Sequence, residues 1–273
     1  MPASAVALAL AAAVVHATWN LLIARARDPQ SATAVAAVAG AVAVAPAAAL
    51  TWHVGARAVP YALASAAIHI VYFSLLALAY ARADLSVVYP LARGSAPPLV
   101  LAGAVVFLGE SPSVVQVAGV LAVAAGIVLI RGLPRGAGGR GEALGLAVGL
   151  SIAAYTVVDK QGVQDAAALP YLLLLNGPAS LAYLTLMARR RGRAVLAELT
   201  PVTALAGVGM MGAYALALGA LQLGPASGVA ATRETSILFA SAFGALLLRE
   251  RVTPARALGA AAIVAGVGAV ALG

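Results

Sequence analysis

The chain has 273 residues, of which 63% are hydrophobic and only 10% are charged. A typical soluble domain is about 45–50% apolar and about 25% charged, and a soluble fold of this size cannot bury so much apolar surface. The composition therefore excludes a soluble globular protein and predicts that lipid is the main solvent. The apolar runs are about twice as long as the strands of a membrane barrel, so we expect an all-α membrane protein.

The charge and the missing residue types narrow the function further. The net charge is +8, and it comes from arginine because Lys160 is the only lysine. In a membrane protein such charge orients the spans, and we expect no nucleic-acid partner. The chain has no cysteine and no HExxH, Walker or GxSxG motif. We therefore expect no enzyme activity, cofactor or metal, and partners limited to a small-molecule solute, the lipid bilayer and, as a candidate assembly, a homodimer.

Apolar runs separated by polar residues predict ten membrane spans, since about 20 apolar residues cross a bilayer. The first run has no basic residue before Arg25 and is expected to be a retained span rather than a signal peptide. A Gly- and Arg-rich stretch, residues 131–141, lies near the chain midpoint and is predicted to link two halves. The predicted spans are 3–24, 32–52, 59–81, 85–108, 113–131, 142–160, 167–188, 200–221, 225–248 and 253–272.

The loop charges predict an orientation in the membrane. Most of the arginines fall in the odd-numbered loops, whereas the even-numbered loops contain Arg57 and Lys160. Since basic loops stay in the cytoplasm, we expect the odd loops inside and both termini outside, in a multi-pass protein of the inner membrane.

An internal repeat appears when each residue is compared with the one 140 positions later. Arg93 then aligns with Arg233 and Glu110 with Glu250, and charged residues are scarce enough in this chain for these matches to be informative. We predict two five-helix repeats, residues 1–136 and 137–273. Because five is an odd number, the repeats would have opposite orientations, as is common in transporters with alternating access.

Arg93 and Arg233 are the main candidates for a solute site. Each lies eight residues into its predicted span, roughly 12 Å deep at helical rise. An arginine at such depth costs about 2.5–3.5 kcal/mol on insertion scales, so it needs a partner or a wet cavity. One interpretation is a pair of cations that hold a carboxylate or phosphate. The alternative is an internal ion pair in which Glu234 or Asp159 neutralises one arginine.

The two acidic residues have open roles as well. Glu234 is a candidate proton carrier or simply the partner of an arginine. Asp159 stands beside Lys160 at the end of the sixth span and is expected to form an interfacial pair with it. Glu110 and Glu250, at span ends, are expected to anchor loops.

Polar and aromatic residues within spans usually face the bundle, so several are candidates to line the cavity or to join helices. Proline and glycine crowd the fourth span, which predicts a break in that helix rather than in the ninth. The candidate cavity residues are His16, Trp19, Asn20, Tyr72 and Tyr89.

Several strings resemble the EamA-like branch of the drug/metabolite transporter superfamily. They are His16-Ala-Thr-Trp-Asn20, residues 84–94, residues 233–240 and the paired Gly-Glu and Arg-Glu endings at 109–110 and 249–250. The resemblance implies ten helices in two inverted five-helix repeats, with a cavity lined by the first four helices of each half and the fifth and tenth helices to the side. Members move amino acids, sugars, nucleotide derivatives, other metabolites or drugs.

The sequence thus predicts a secondary transporter of a small polar, anionic metabolite. Arg93 and Arg233 would bind the anionic group. The first rival is an exporter of cationic or hydrophobic drugs that uses Glu234 and Asp159. The second is a membrane scaffold that moves no solute.

Overall fold

The computed structural model describes residues 1–82, 85–131, 139–248 and 253–273. Most of the predicted link 131–141, the predicted repeat boundary after residue 136, Asp84, Arg249 and Glu250 lie outside these ranges. Within them the chain is helical, and the only bridge between extended segments joins Val54 to Ala166.

The described residues form eleven α-helices and one 3-10 helix. Eight helices are long and apolar enough to cross a membrane, while α5 is a shorter apolar helix. The helices are α1 (Ala3–Ala24), α2 (Pro29–Leu50), α3 (Ala58–Arg82), α4 (Leu85–Leu108), α5 (Val114–Arg131), α6 (Arg140–Gly162), α7 (Ala168–Arg191), the 3-10 helix Gly192–Glu198, α8 (Pro201–Leu223), α9 (Ala226–Arg233), α10 (Ser236–Leu248) and α11 (Pro254–Leu272).

The break predicted in the fourth span is wrong: α4 is one helix that contains Pro90, Pro97 and Pro98. Each proline removes only one backbone hydrogen bond, and a helix packed among neighbours keeps the others. This helix approaches α6 closely, since a Cβ at Gly145 would lie 3.0 Å from the Val88 carbonyl oxygen.

The interruption occurs instead in the segment predicted as one span at 225–248. Helix α9 ends at Arg233 and α10 begins at Ser236. Threonine hydroxyl groups form hydrogen bonds to backbone carbonyls of α9, before the interruption. Thr232 donates to the Gly228 carbonyl and Thr235 donates to the Thr232 carbonyl, each at 2.8 Å. Such side-chain bonds compete with the regular helical ladder, and no proline is needed to break it.

Contacts between α1–α5 and α6–α11 are reciprocal. Helix α1 packs on α8 and α3 packs on α6, while α2 packs on α7 and α5 on α11. Helices α5 and α11 run antiparallel, because Gly119 faces Gly266 and Gly126 faces Gly259. A Cβ at any of these four glycines would lie 2.6 Å from the facing carbonyl oxygen, so only glycine allows this approach.

Glu110 joins the two halves of the described chain at the start of α9. Its carboxylate accepts hydrogen bonds from the Ala226 amide at 2.5 Å and from the Ser227 hydroxyl at 2.6 Å. Pro225, the residue before α9, offers no side-chain cap. Glu110 therefore caps this helix from the other half, as an anchor.

Candidate functional site

A cavity of about 590 Å³ lies between the two sets of helices, a volume in the usual range for small-molecule sites. It is lined from α1, α3, α4, α6, α7, α8 and α9 among others. Every side chain predicted to bind solute lines it: His16, Trp19, Asn20, Tyr72, Tyr89, Arg93 and Arg233. Their role in binding stays a prediction.

Helix α1 presents its polar face to this cavity. The His16 and Trp19 rings meet edge to face, with centroids 5.0 Å apart. The Trp19 Nε1 atom is buried and has no hydrogen-bond partner among the described residues. Asn20 uses its amide group to donate to the His16 carbonyl at 2.8 Å.

Arg93 is held by two residues that follow α9. Its Nε lies 3.1 Å from Oε2 of Glu234, and its Nη2 donates to the Ser236 hydroxyl at 2.9 Å. Glu234 is buried and does not line the cavity. The ion-pair alternative therefore describes Arg93, whose charge is compensated without a solute.

Arg233 has different surroundings. Its guanidinium lies 5.7 Å from the centroid of the Tyr214 ring, in a cation–π arrangement. Within the described ranges no carboxylate forms a salt bridge with it. Arg233 thus reaches the cavity as a cation without an ion-pair partner in direct contact.

The predicted pair of Asp159 with Lys160 is wrong. Asp159 is fully buried and accepts hydrogen bonds from the Tyr171 hydroxyl at 3.1 Å and from the Tyr214 hydroxyl. Lys160 donates instead to the carbonyls of Leu221 at 2.6 Å and Gly224 at 3.0 Å, at the end of α8. Neighbours on a helix point about 100° apart, so adjacency in sequence does not make them partners.

Aromatic rings form the wall between the cavity and Asp159. His69 stacks on Tyr155 with centroids 4.3 Å apart and lies edge to face with Tyr214 at 5.6 Å. The His69 Nδ1 atom lies 2.8 Å from the Ser65 carbonyl, which fixes the ring. Tyr155 and Tyr214 line the cavity and were not predicted as site residues. A spacing of four residues from Tyr155 to Asp159 was the signal that the two share a helix face.

The cavity reaches the surface where the α1–α2 loop meets the end of α7. Arg191 Nε lies 3.4 Å from Oδ2 of Asp28, and these side chains are 52% and 31% exposed. The Asp28 amide donates to Glu198 at 2.9 Å, and its carboxylate accepts from Ser31 at 2.7 Å. Partial burial raises the pKa of Asp28, but the Ser31 hydrogen bonds and the Arg191 charge outweigh it, so this pKa lies below its ordinary value.

The opposite end is closed by backbone. The Gly55 amide donates to the Asp165 carbonyl at 2.7 Å, and the Ala167 amide donates to the His53 carbonyl at 2.8 Å. These bonds join the α2–α3 loop to the α6–α7 loop. A packed core that includes Ala166 and Tyr171 lies against these loops.

Within the described part of the chain, no three His, Cys, Asp or Glu side chains gather as a metal site. Cations in the cavity are supplied by arginine, and donors by Trp19 and the tyrosines. This set can bind an anionic group with planar, directional hydrogen bonds.

Comparisons with known proteins agree with this architecture. The model of the EamA-like transporter family matches residues 3–132 and, a second time, residues 139–272. Among curated proteins, none matches the chain. One solved structure, described only as the crystal structure of a protein, has a TM-score of 0.75 and 20% identity over 100% of this chain and 99% of that chain, which shows a shared fold. The chain belongs to the EamA-like transporter family and is a multi-pass membrane transporter of the drug/metabolite transporter superfamily.

Proposed function

We propose that this protein is a secondary active transporter that moves a small, polar, anionic metabolite across the inner membrane by alternating access. The observation that carries the proposal is Arg233, a cavity-lining cation with no salt bridge among the described residues. In a cavity of low dielectric, a carboxylate or phosphate group of a solute gains more from such a charge than it does in water.

The remaining cavity residues support an anion with polar substituents. Trp19 offers an unpartnered N–H, and His16, Asn20, Tyr72 and Tyr89 line the same space. Arg93 also lines it, and its pairing with Glu234 makes it the weaker attraction for a solute. An anion that contacts both arginines would share Arg93 with Glu234. The proton-carrier role predicted for Glu234 stays untested.

The helix packing supports ten crossings in two inverted five-helix repeats, residues 1–136 and 137–273. Helix α5 and the interrupted α9–α10 segment would supply the two crossings beyond the eight apolar helices. An inverted repeat requires that equivalent helices run in opposite directions, and α5 and α11 are antiparallel. Reciprocal contacts of α1 with α8 and α3 with α6 agree with the same symmetry.

In the orientation that the loop charges favour, both termini are outside and the Asp28 end of the cavity faces the cytoplasm. The described conformation would then be the state open to the cytoplasm. A tag on either terminus, probed with a membrane-impermeant reagent in intact cells, tests this orientation. A homodimer is the assembly to test by the mass of the purified protein.

A thermal-shift screen identifies the charge of the solute. The panel contains acetate, pyruvate, succinate, glutamate and inorganic phosphate, with choline and ethidium as cations. We expect stabilisation by at least one anion and by neither cation. Stabilisation by the cations alone would favour an exporter of cationic drugs that uses Glu234 or Asp159, and the anion proposal would be wrong.

Arg233→Ala tests the site itself in proteoliposomes. Removal of one partner of a buried, hydrogen-bonded charge pair costs about 2–5 kcal/mol, which corresponds to a loss of uptake of about 30-fold or more. The matched control is Arg190→Ala, which removes an exposed arginine at the end of α7. Unchanged uptake by folded Arg233→Ala protein would overturn the site, and no uptake by wild-type vesicles would favour a scaffold.

A further inference from the structure

Asp159 is a buried carboxylate that the proposed solute site does not use. It is fully buried near the end of α6, among hydroxyl groups rather than cations. Tyr171 and Tyr214 donate hydrogen bonds to it. Within the described ranges it forms no salt bridge. A fully buried carboxylate without a cationic partner is costly to keep ionised, so it is a candidate functional site.

Tyr214 links this carboxylate to the cation of the cavity. Its hydroxyl donates to Oδ2 of Asp159, and the face of its ring lies 5.7 Å from the Arg233 guanidinium. The same side chain lines the cavity. Asp159 and Arg233 are therefore opposite charges that contact the same phenol side chain and form no salt bridge with each other.

The charges around the cavity balance only in the absence of solute. Arg93 is compensated by Glu234 at 3.1 Å, and the carboxylate beside Arg233 that remains is Asp159, which is bonded to the hydroxyl of the same Tyr214 whose ring Arg233 overlies. A monoanion bound at Arg233 would leave one negative charge in excess inside the membrane. Such an excess is expensive in a medium of low dielectric, and one proton on Asp159 removes it.

We propose that Asp159 binds the proton that enters with the anion, which makes this protein a proton–anion symporter with Tyr214 as the link between the two sites. The proposal rests on the anion site at Arg233 proposed above. It concerns the coupling ion, which the anion site alone does not specify.

One anion and one proton enter, and no electron moves. The anion contacts the Arg233 guanidinium and offsets the positive charge near ionised Asp159. A hydronium ion from the aqueous side then gives its proton to the Tyr214 hydroxyl oxygen while that hydroxyl passes its own proton to Asp159, and a neutral water molecule is left. The bound anion raises the proton affinity of Asp159. By linkage, protonation of Asp159 raises the affinity for the anion by the same factor.

Glu234 is a less suitable proton site. Its carboxylate contacts Arg93 directly, so protonation would leave that guanidinium buried without a counter-ion. Protonation of Asp159 leaves no cation without a counter-ion, since Arg233 would contact the bound anion.

Other groups near Asp159 titrate or carry charge. They lie on each helix packed around it: His69 on α3, Tyr171 on α7, Tyr214 on α8, Arg233 on α9, and Tyr155 and Lys160 on α6 itself. His69 is the competing proton site, because histidine titrates between about pH 5 and pH 8. A substitution at Asp159 alone separates the two.

The equilibrium test measures the Kd of the most stabilising anion of the panel from about pH 5 to about pH 8. In wild-type protein we expect tighter binding at low pH, by about tenfold. Asp159→Asn mimics the protonated carboxylate, so its Kd should stay at the low-pH value across the range. Glu142→Gln, which removes a carboxylate from the first turn of α6, should keep the wild-type pH dependence. A pH-dependent Kd in folded Asp159→Asn protein would overturn the proposal and favour His69.

The flux test separates this proposal from the anion site on which it rests. Counterflow of the same labelled anion needs no net proton movement, whereas accumulation driven by a pH gradient does. Asp159→Asn should retain counterflow and lose accumulation. Accumulation that survives in this variant overturns the symport proposal alone, while wild-type vesicles without counterflow overturn the anion site.

Tyr214→Phe keeps the test decisive if Asp159→Asn does not fold. This variant keeps the ring below Arg233 and removes the hydroxyl that stabilises the ionised carboxylate. The midpoint of the pH dependence of Kd should therefore move to higher pH. An unchanged midpoint would contradict the link through Tyr214.

Discussion

Arg93 and Arg233 occupy equivalent positions of the two halves, yet they have different neighbours. Arg93 lies within the continuous helix α4 and is paired with Glu234, whereas Arg233 ends the short helix α9 and lies over Tyr214. The sequence repeat therefore specifies where a guanidinium stands, and the local chain path specifies what compensates it. The interruption after α9 brings Glu234 to Arg93, and this contact leaves Arg233 as the cation of the proposed solute site.

The first prediction breaks the Arg93 pair. Glu234→Gln leaves a buried guanidinium without its counter-ion, and we expect a loss of about 3–5 kcal/mol in the free energy of unfolding. The double variant Arg93→Gln with Glu234→Gln should recover most of this loss, since two neutral amides need no charge compensation. Unfolding in detergent micelles measures both values. Additive losses in the double variant would show that the pair is not coupled.

The second prediction concerns a place where the halves are equal. Gly119→Ala and Gly259→Ala each put a methyl group 2.6 Å from a facing carbonyl oxygen at the α5–α11 crossing. Backbone cannot yield as a flexible side chain does, so each change should cost about 1–3 kcal/mol. Gly268→Ala on α11 is the matched control, because no atom lies within 4 Å of its added Cβ. Unequal losses at the two equivalent positions would contradict the symmetry of this crossing.

The smallest expected effect lies at the mouth of the cavity. Since the pKa of Asp28 is lowered in the folded protein, its charge stabilises the fold above its unfolded pKa of about 3.9 and ceases to do so as pH falls through the folded value. Asp28→Asn keeps a good helix N-cap and should lose less than about 1 kcal/mol at pH 7. The difference from wild type, followed by melting temperature, should shrink as pH falls through the folded pKa of Asp28 and vanish at still lower pH. A difference that persists there would show a role other than charge.

Much of the fold could be predicted from apolar runs and polar punctuation, which mark where a helix leaves the membrane. Nine of the ten predicted spans each correspond to one helix of similar bounds. The ninth was predicted as continuous because no proline stands at Glu234 or Thr235. Its interruption depends on hydroxyl groups and on a contact with Arg93, which are tertiary features.

The candidate site shows the same difference between features that local sequence predicts and features that depend on tertiary contacts. Polar residues within apolar helices point inward because lipid offers them no partner, so His16, Trp19 and Arg93 could be located from the sequence. The contact between Tyr214 and Asp159 joins α8 to α6 across 55 positions of the chain, and spacing within one helix carries no information about it. Asp159 was assigned to Lys160 because the two are adjacent, although Asp159 bonds to tyrosines of α7 and α8 and Lys160 bonds to backbone carbonyls at the end of α8.

The two ends of the protein differ in the atoms that join their loops, and this has a consequence for how the protein can change. Asp28 and Arg191 meet through side chains, so point substitutions can change the charge and the width of that entrance. The far end is joined by the amides of Gly55 and Ala167, which every residue except proline provides. Point substitutions should therefore alter entry at the Asp28 end readily, while the backbone bonds of the other end persist through replacements other than proline, provided that Asp165 can move away from a side chain added at Gly55.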